Sequence, residues 1–262
     1  MNKYPIGIFD SGVGGITIYD EIHKLLPYEN TIYLADSKHA PYGEKTKNQI
    51  VDFSVKNTEF LLQKGCKLIV VACNTASTNA VKFLRENYDV PFIRVQPAIK
   101  PAALNSKTKT IGILATKGTL KSDLLSETSQ KFAKGIQIIE QQGDGIVELI
   151  EAGEIASPEM ENLLKKYVNP MLQKNIDYLV LGCTHYPFLI PQLQKIVGSA
   201  VTIIDSGEAI ARQTKSILTS ENLLNTSTFK STHQFYTNTN TAVLQNFINP
   251  FKKGFLAEKI DF

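Results

Sequence analysis

LIVVACNT at 68–75 and YLVLGCTH at 178–185 are one device used twice: an apolar run of strand type, closed by a cysteine and followed by a threonine-bearing turn. A continuous apolar run bounded by turn residues marks a strand buried on both faces, as in parallel sheets. A second matched pair accompanies the first. IGIFDSGVG at 6–14 can be laid over IGILATKGT at 111–119, each a strand ending in a hydroxyl residue and a glycine turn. This duplication predicts two similar α/β lobes with mainly parallel sheets, related by a pseudo-twofold axis. Ligands of α/β folds sit at the carboxyl ends of strands, so the active site is expected in the cleft between the lobes, with the two thiols facing each other.

The rest of the chain fits this frame. Strands are predicted at 6–10, 31–36, 68–73, 91–95, 110–116, 136–141, 178–183 and 201–205. Between them apolar residues recur at three- and four-residue spacing, as at Phe53, Phe60 and Leu61 or Ile146, Leu149 and Ile150, which is helical periodicity. Strands alternating with helices specify a mainly parallel sheet. Proline-marked residues 96–109 and the stretch 201–211, where a strand feeds a final helix, are the expected boundaries. The predicted division is residues 1–97 with 207–262 as one lobe and 98–206 as the other, the two boundary stretches serving as hinges.

Composition limits the function. The 262 residues are 43% hydrophobic and 20% charged, as in a globular enzyme with an ample core. No apolar run approaches the length of a membrane span, and MNKYPIGIFD has no signal-peptide pattern, so a cytoplasmic protein without membrane contacts is expected. Of 28 basic residues only Arg85, Arg94 and Arg212 are arginines. Guanidinium is the favoured group for phosphate and base recognition, so no nucleic-acid surface is expected. Three cysteines, Cys66, Cys73 and Cys183, are an odd and sparse set that reads as free thiols.

A cysteine closing an apolar strand is commonly a small buried hydrophobe, and Cys66 in the QKGCKL turn keeps that reading. Cys73 and Cys183 differ because hydrogen-bonding residues follow them, Asn74 and Thr75 in one case and Thr184 and His185 in the other. A metal site is poorly supported, since there is no CxxC spacing and His23, His39 and His233 form no ligand pattern. A single thiol nucleophile leaves the other cysteine unexplained. Proton transfer at a stereocentre uses both, one thiolate taking a proton from one face of a carbon while a thiol delivers another to the opposite face. An ordinary thiol is about 3% ionised at pH 7 and full ionisation costs about 2 kcal/mol, so polar assistants are expected. Asp10 and His185 are the candidates, although Asp10 is equally suited to capping the turn DSGVGG.

The glycines of that turn, with Asp36 ending the next strand, imitate a dinucleotide-binding fingerprint. Thr17 replaces the third glycine, and the fingerprint explains neither cysteine. The turn can equally hold a carboxylate on backbone N–H groups. So can HAPYGEKT at 39–46, through the amides of Tyr42 and Gly43, unless it is an ordinary proline-glycine loop. A nicotinamide oxidoreductase and a non-catalytic ligand-binding module with core thiols remain the rival readings.

GIFDSGVGG (7–15), YLADSKHAPYGEKT (33–46), VACNTAS (71–77), PAIKPA (97–102), VLGCTHYPFL (180–189) and IIDSGEA (203–209) together resemble the glutamate racemases of the cofactor-independent aspartate/glutamate racemase superfamily. The matches run in the family's order over nearly the whole chain. The resemblance implies reversible conversion of L-glutamate to D-glutamate for peptidoglycan, without pyridoxal phosphate, metal or nicotinamide. It implies that Cys73 deprotonates D-glutamate and Cys183 deprotonates L-glutamate, assisted by Asp10 and His185, with Asp36 and Glu151 behind them. Substrate contacts are implied for Asp10, Ser11, Tyr42, Gly43, Asn74, Thr75, Thr184 and His185, and further ones for Thr116 and Thr119. Such enzymes are often homodimers, and a homodimer is expected here. One departure is Gln96 in RVQPAIKPA, where the family more often has glutamate.

Overall fold

The computed structural model describes residues 3–227, 230–249 and 254–262. The chain forms two compact units, one of Met1–Val95 with Gly207–Phe262 and the other of Gln96–Ser206. Each is a mixed α/β unit built on its own parallel sheet, of six and four strands.

In the first unit the strands are β1 (Ile6–Asp10), β2 (Thr31–Ala35), β3 (Leu68–Val71) and β4 (Phe92–Arg94). The second unit holds β5 (Thr110–Ala115), β6 (Gln137–Gln142), β7 (Tyr178–Gly182) and β8 (Thr202–Ile204). The chain then returns to the first unit for β9 (His233–Thr237) and β10 (Ala257–Lys259). The strand orders are β10-β9-β2-β1-β3-β4 and β6-β5-β7-β8. The run β2-β1-β3-β4 thus has the connectivity of β6-β5-β7-β8, and each unit reverses its winding direction beside its first strand. Open α/β sheets bind ligands at such switch points, outside the carboxyl ends of the strands. Those ends carry Asp10 and Cys73 in the first unit and Thr116 and Cys183 in the second.

Burial explains the apolar runs. Every residue of β1, β2 and β3 is buried. Phe9, Leu34, Ile69 and Val71 pack with Ile50 and Leu61 of helix Lys47–Gln63, whose start is fixed by a Thr46–Gln49 capping box. Tyr19, on helix Ile16–Leu25, meets Phe235 of β9 edge to face at 4.9 Å between ring centroids. In the second unit Ile111, Ile113 and Val180 pack with Ile99, Ala102 and Ala103 of helix Ile99–Asn105.

That helix lies inside the expected boundary stretch 96–109. Its Pro101 stands at the third helical position, where a backbone N–H has no partner within the helix, so the imino nitrogen costs nothing. The helix Gly207–Ser220 is likewise not the last one, since Thr241–Ile248 follows β9. Both strands of the C-terminal segment were absent from the sequence expectation. No helix among the described residues is long and apolar enough to cross a membrane.

Candidate active site

At the switch point of the first unit, β1 and β3 pair with Phe9 level with Val71. Two rungs beyond, the same register brings Ser11 beside Cys73, and Cys73 Sγ lies 3.6 Å from Ser11 Oγ. Cys73 also caps helix Asn74–Asn79, its Sγ accepting the Ala76 amide at 3.5 Å. Asp10 is fully buried and its Oδ1 accepts the Gly12 amide at 2.9 Å. The turn is also pinned by Tyr33, which donates to the Gly12 carbonyl at 2.7 Å. Gly15 is required where helix and sheet meet, because a Cβ there would lie 2.8 Å from Asp10 Cβ and 2.9 Å from the Tyr33 hydroxyl.

Asn74 and Thr75 are buried at the start of the helix that Cys73 caps. The Asn74 side-chain Nδ2 is buried with no hydrogen-bond partner, an uncommon and costly state for an amide donor. A donor left open beside a thiol is suited to an anionic ligand.

Tyr42 and Gly43 form a short 3-10 turn, Tyr42–Glu44, which packs against helix Asn74–Asn79. The Tyr42 hydroxyl donates to Asp36 Oδ2 at 2.5 Å and accepts from Asn57 Nδ2 at 3.2 Å. Burial, the Asp36 carboxylate and the nearby Cys73 hold the phenol well above its ordinary pKa, so it stays protonated and a donor. Asp36 Oδ1 also takes His39 Nδ1 at 2.7 Å and Asn238 Nδ2 at 2.5 Å. With three donors already on it, this carboxylate is not the open acceptor that a dinucleotide ribose needs.

The second unit repeats the geometry with different chemistry. β5 and β7 pair with Ala115 level with Gly182, so Thr116 and Cys183 are neighbours on the next rung. A Cβ on Gly182 would lie 2.6 Å from that of Ala115, so glycine permits the close approach. Thr116 caps the following helical turn and shares a 3.1 Å hydrogen bond with the fully buried Thr119 hydroxyl. Thr184 is buried between Cys183 and His185. Cys183 Sγ lies 3.7 Å from His185 Nδ1, and His185 Nε2 lies 2.6 Å from Glu151 Oε1. Burial opposes a charge on this imidazole, but Cys183 and Glu151 on its two sides outweigh it and hold the His185 pKa well above the ordinary value.

All three cysteines are free and are 5–7% exposed, so burial does not distinguish them. Their neighbours do. Cys66 packs beneath Gly7, where a Cβ would meet its Sγ at 3.0 Å, and burial pushes its thiol up to about 12. Cys73 and Cys183 have hydroxyl, amide or imidazole partners. Among the described residues no group of three or more His, Cys, Asp and Glu side chains is arranged to hold a metal ion.

The sequence-predicted residues therefore fall into two clusters. Asp10, Ser11, Asp36, Tyr42, Gly43, Cys73, Asn74 and Thr75 lie in the first unit, and Thr116, Thr119, Glu151, Cys183, Thr184 and His185 in the second. Sequence reasoning missed Asn57 and Asn238, both hydrogen-bonded into the Asp36–Tyr42 pair.

The sequence model of the Asp/Glu/Hydantoin racemase family matches residues 6–214. The chain belongs to that family. Membership makes it a racemase, an isomerase by reaction class. Among its relatives, a glutamate racemase from Ectopseudomonas mendocina is 46% identical, over 88% of this chain and 89% of the relative. One from Herpetosiphon aurantiacus is 42% identical over 90% and 93%. Of solved structures, the glutamate racemase of Escherichia coli, in complex with L-glutamate and an activator, UDP-MurNAc-Ala, is 36% identical with a TM-score of 0.86, covering 98% of both chains. That of Francisella tularensis, in complex with D-glutamate, is 30% identical with a TM-score of 0.84, covering 100% of this chain and 98% of the other.

Proposed function

We propose that this protein is a glutamate racemase that interconverts L- and D-glutamate by two-base proton transfer between Cys73 and Cys183. One observation carries the mechanism: each unit presents one thiol at the same topological position, the carboxyl end of the strand beside the switch point, with polar partners of its own. The family and the substrates of its relatives support glutamate as the ligand.

In the L-to-D direction the Cys183 thiolate takes the α-proton of L-glutamate, and the Cys73 thiol delivers its proton to the opposite face. The C–H bond broken on one side is replaced by one formed on the other, and the thiolate now resides on Cys73. The D-to-L direction reverses these roles. His185, charged and held by Glu151, exchanges a proton with Cys183 along the 3.7 Å contact. Ser11 is the hydroxyl partner of Cys73, and Asp10 orders the turn that carries Ser11. The open amide of Asn74 and the backbone amides of Tyr42 and Gly43 receive the carboxylates, with Thr75, Thr116, Thr119 and Thr184 offering hydroxyls. Neutral donors of this kind fix a carboxylate without an arginine.

The reading places the enzyme in the cytoplasm as a homodimer that supplies D-glutamate to peptidoglycan synthesis. The decisive experiment incubates the protein with either enantiomer in deuterated water and follows optical rotation and α-deuterium uptake. Loss of rotation with deuterium incorporation from both sides is expected. A folded protein that leaves both enantiomers unchanged refutes the assignment. Cys73→Ser and Cys183→Ser should each abolish racemisation, and full activity in either refutes the two-base scheme while leaving the substrate intact.

A further inference from the structure

We propose that Asn238 is a positioning residue for the reaction, clamping Asp36 and the Lys38 backbone so that the Tyr42–Gly43 turn is held beside Cys73. The inference rests on the reading above that this turn receives substrate.

Asn238 lies outside residues 6–214, the stretch matched by the family pattern, and it reaches the site through the return of the chain to the first sheet. β9 pairs with β2, with Thr237 level with Ala35. Asn238 and Asp36 are therefore the next rung at the carboxyl edge, though far apart in sequence. Its amide is used at both ends. Nδ2 donates to Asp36 Oδ1 at 2.5 Å, and Oδ1 accepts the Lys38 backbone N–H at 2.9 Å. Both side chains are buried, Asn238 at 7% exposure and Asp36 at 2%.

The clamp acts through one carboxylate. Asp36 Oδ1 is occupied by Asn238 and His39, which leaves Oδ2 to the Tyr42 hydroxyl. His39 is further fixed by stacking on Phe53 at 4.1 Å between ring centroids. Removing the Asn238 side chain takes one of three donors from the carboxylate, which keeps His39 and Tyr42, and deprives the Lys38 amide of its acceptor, so the segment between Asp36 and Tyr42 loses its tie to the sheet edge. The buried Asp36 carboxylate loses one hydrogen bond, which is costly, and the amide of the exposed Lys38 is left to solvent, so the loop is expected to move. An asparagine of purely structural value would not set the distance between Tyr42 and one particular thiol.

Asn238→Ala tests this with two readouts, one independent of turnover. Alkylation of each cysteine by iodoacetamide, followed by peptide mass spectrometry, should be several-fold faster at Cys73 and unchanged at Cys183. The KM for glutamate should rise about tenfold while kcat changes less. Asn238→Asp keeps the shape and the acceptor but sets a second carboxylate against Asp36, which raises the pKa of the pair. Its KM relative to the native enzyme should therefore fall as pH is lowered and the new carboxyl becomes a donor. Accelerated Cys73 alkylation in N238A, with a native protein inert toward glutamate, would keep the clamp and reject the substrate assignment. A folded N238A with native KM and native Cys73 alkylation overturns the clamp. Should N238A not fold, a relative KM for N238D that is flat with pH overturns it equally.

Discussion

Replacing Glu151 by Gln isolates the electrostatic role of the carboxylate behind His185. The substitution preserves shape and removes a charge 2.6 Å from His185 Nε2, where the His185 side chain is 1% and the Glu151 side chain 14% exposed. Hydrogen bonds to a charged partner are worth about 1.5–3 kcal/mol. Losing one lowers the preference of the imidazole for its charged form by about one to two orders of magnitude. The sign follows from the direction of the native shift. Cys183 and Glu151 together raise the His185 pKa against burial, so the imidazolium persists as pH rises past the ordinary histidine value. Without Glu151 it is lost at lower pH, and the alkaline limb of the rate profile should move toward neutrality. At pH 8 the expected loss in kcat/KM is about 10- to 100-fold.

The loss must be equal in both directions, because enantiomers have equal free energies in water and the ratio of the two kcat/KM values is fixed by that equality. Asymmetry should appear instead in the isotope effect. In the two-base scheme proposed above, slowing the Cys183 step raises the effect for α-deuterated L-glutamate relative to that for the D-enantiomer. Circular dichroism at fixed substrate, run in both directions from pH 6 to 10, measures all of this. A native profile and native kcat/KM in E151Q would refute the argument that Glu151 sustains the charge on His185.

Three further outcomes concern stability. Lys67→Met leaves Glu29, its partner at 2.6 Å with side chains only 3% and 2% exposed, without that cation and with the Asn225 amide on its other oxygen, and should cost about 3 kcal/mol in urea melts, partly recovered by adding Glu29→Gln. Gly15→Ala drives a methyl into Asp10 and Tyr33 and should cost about 1–3 kcal/mol with a marked loss of activity; a neutral melt would contradict the packing argument. Burial lowers the His233 pKa to about 4, so the neutral ring favours the fold above pH 6.5 and that contribution fades as pH falls toward 4. His233→Gln should therefore flatten the acid limb of the stability curve in that window, by about 1–2 kcal/mol after allowing for the part of the ring that water reaches.

What could be read from sequence was set by how local its cause was. The strands Ile6–Asp10, Leu68–Val71, Thr110–Ala115 and Tyr178–Gly182 are buried in parallel sheets, and that burial writes itself as apolar runs. β9 and β10 carry no such mark: His233 and Gln234 open β9 among polar residues, and Ala257–Lys259 is a three-residue edge strand that is largely exposed. Pro101 read as a breaker because its position within the first helical turn is not visible from the residue alone. The thiols were legible through their neighbours Asn74, Thr75, Thr184 and His185, which follow them directly. Asn57 and Asn238 were not, because their partners Tyr42 and Asp36 are brought to them by sheet register and helix packing.

The return of the chain after the second unit also bears on biosynthesis. Until residues beyond Gly207 leave the ribosome, β2 has β1 on one side and nothing on the other, because its second neighbour is β9. The waiting edge is TIYLA, apolar and of high strand propensity, the kind of edge that recruits foreign strands. The inserted unit has all its strands, the last being Thr202–Ile204, before His233–Thr237 is made, so it is free to fold during translation while the first sheet stands open. Slow elongation through the inserted unit should therefore favour aggregation of nascent chains, and the hazard ends only when His233–Thr237 docks against β2.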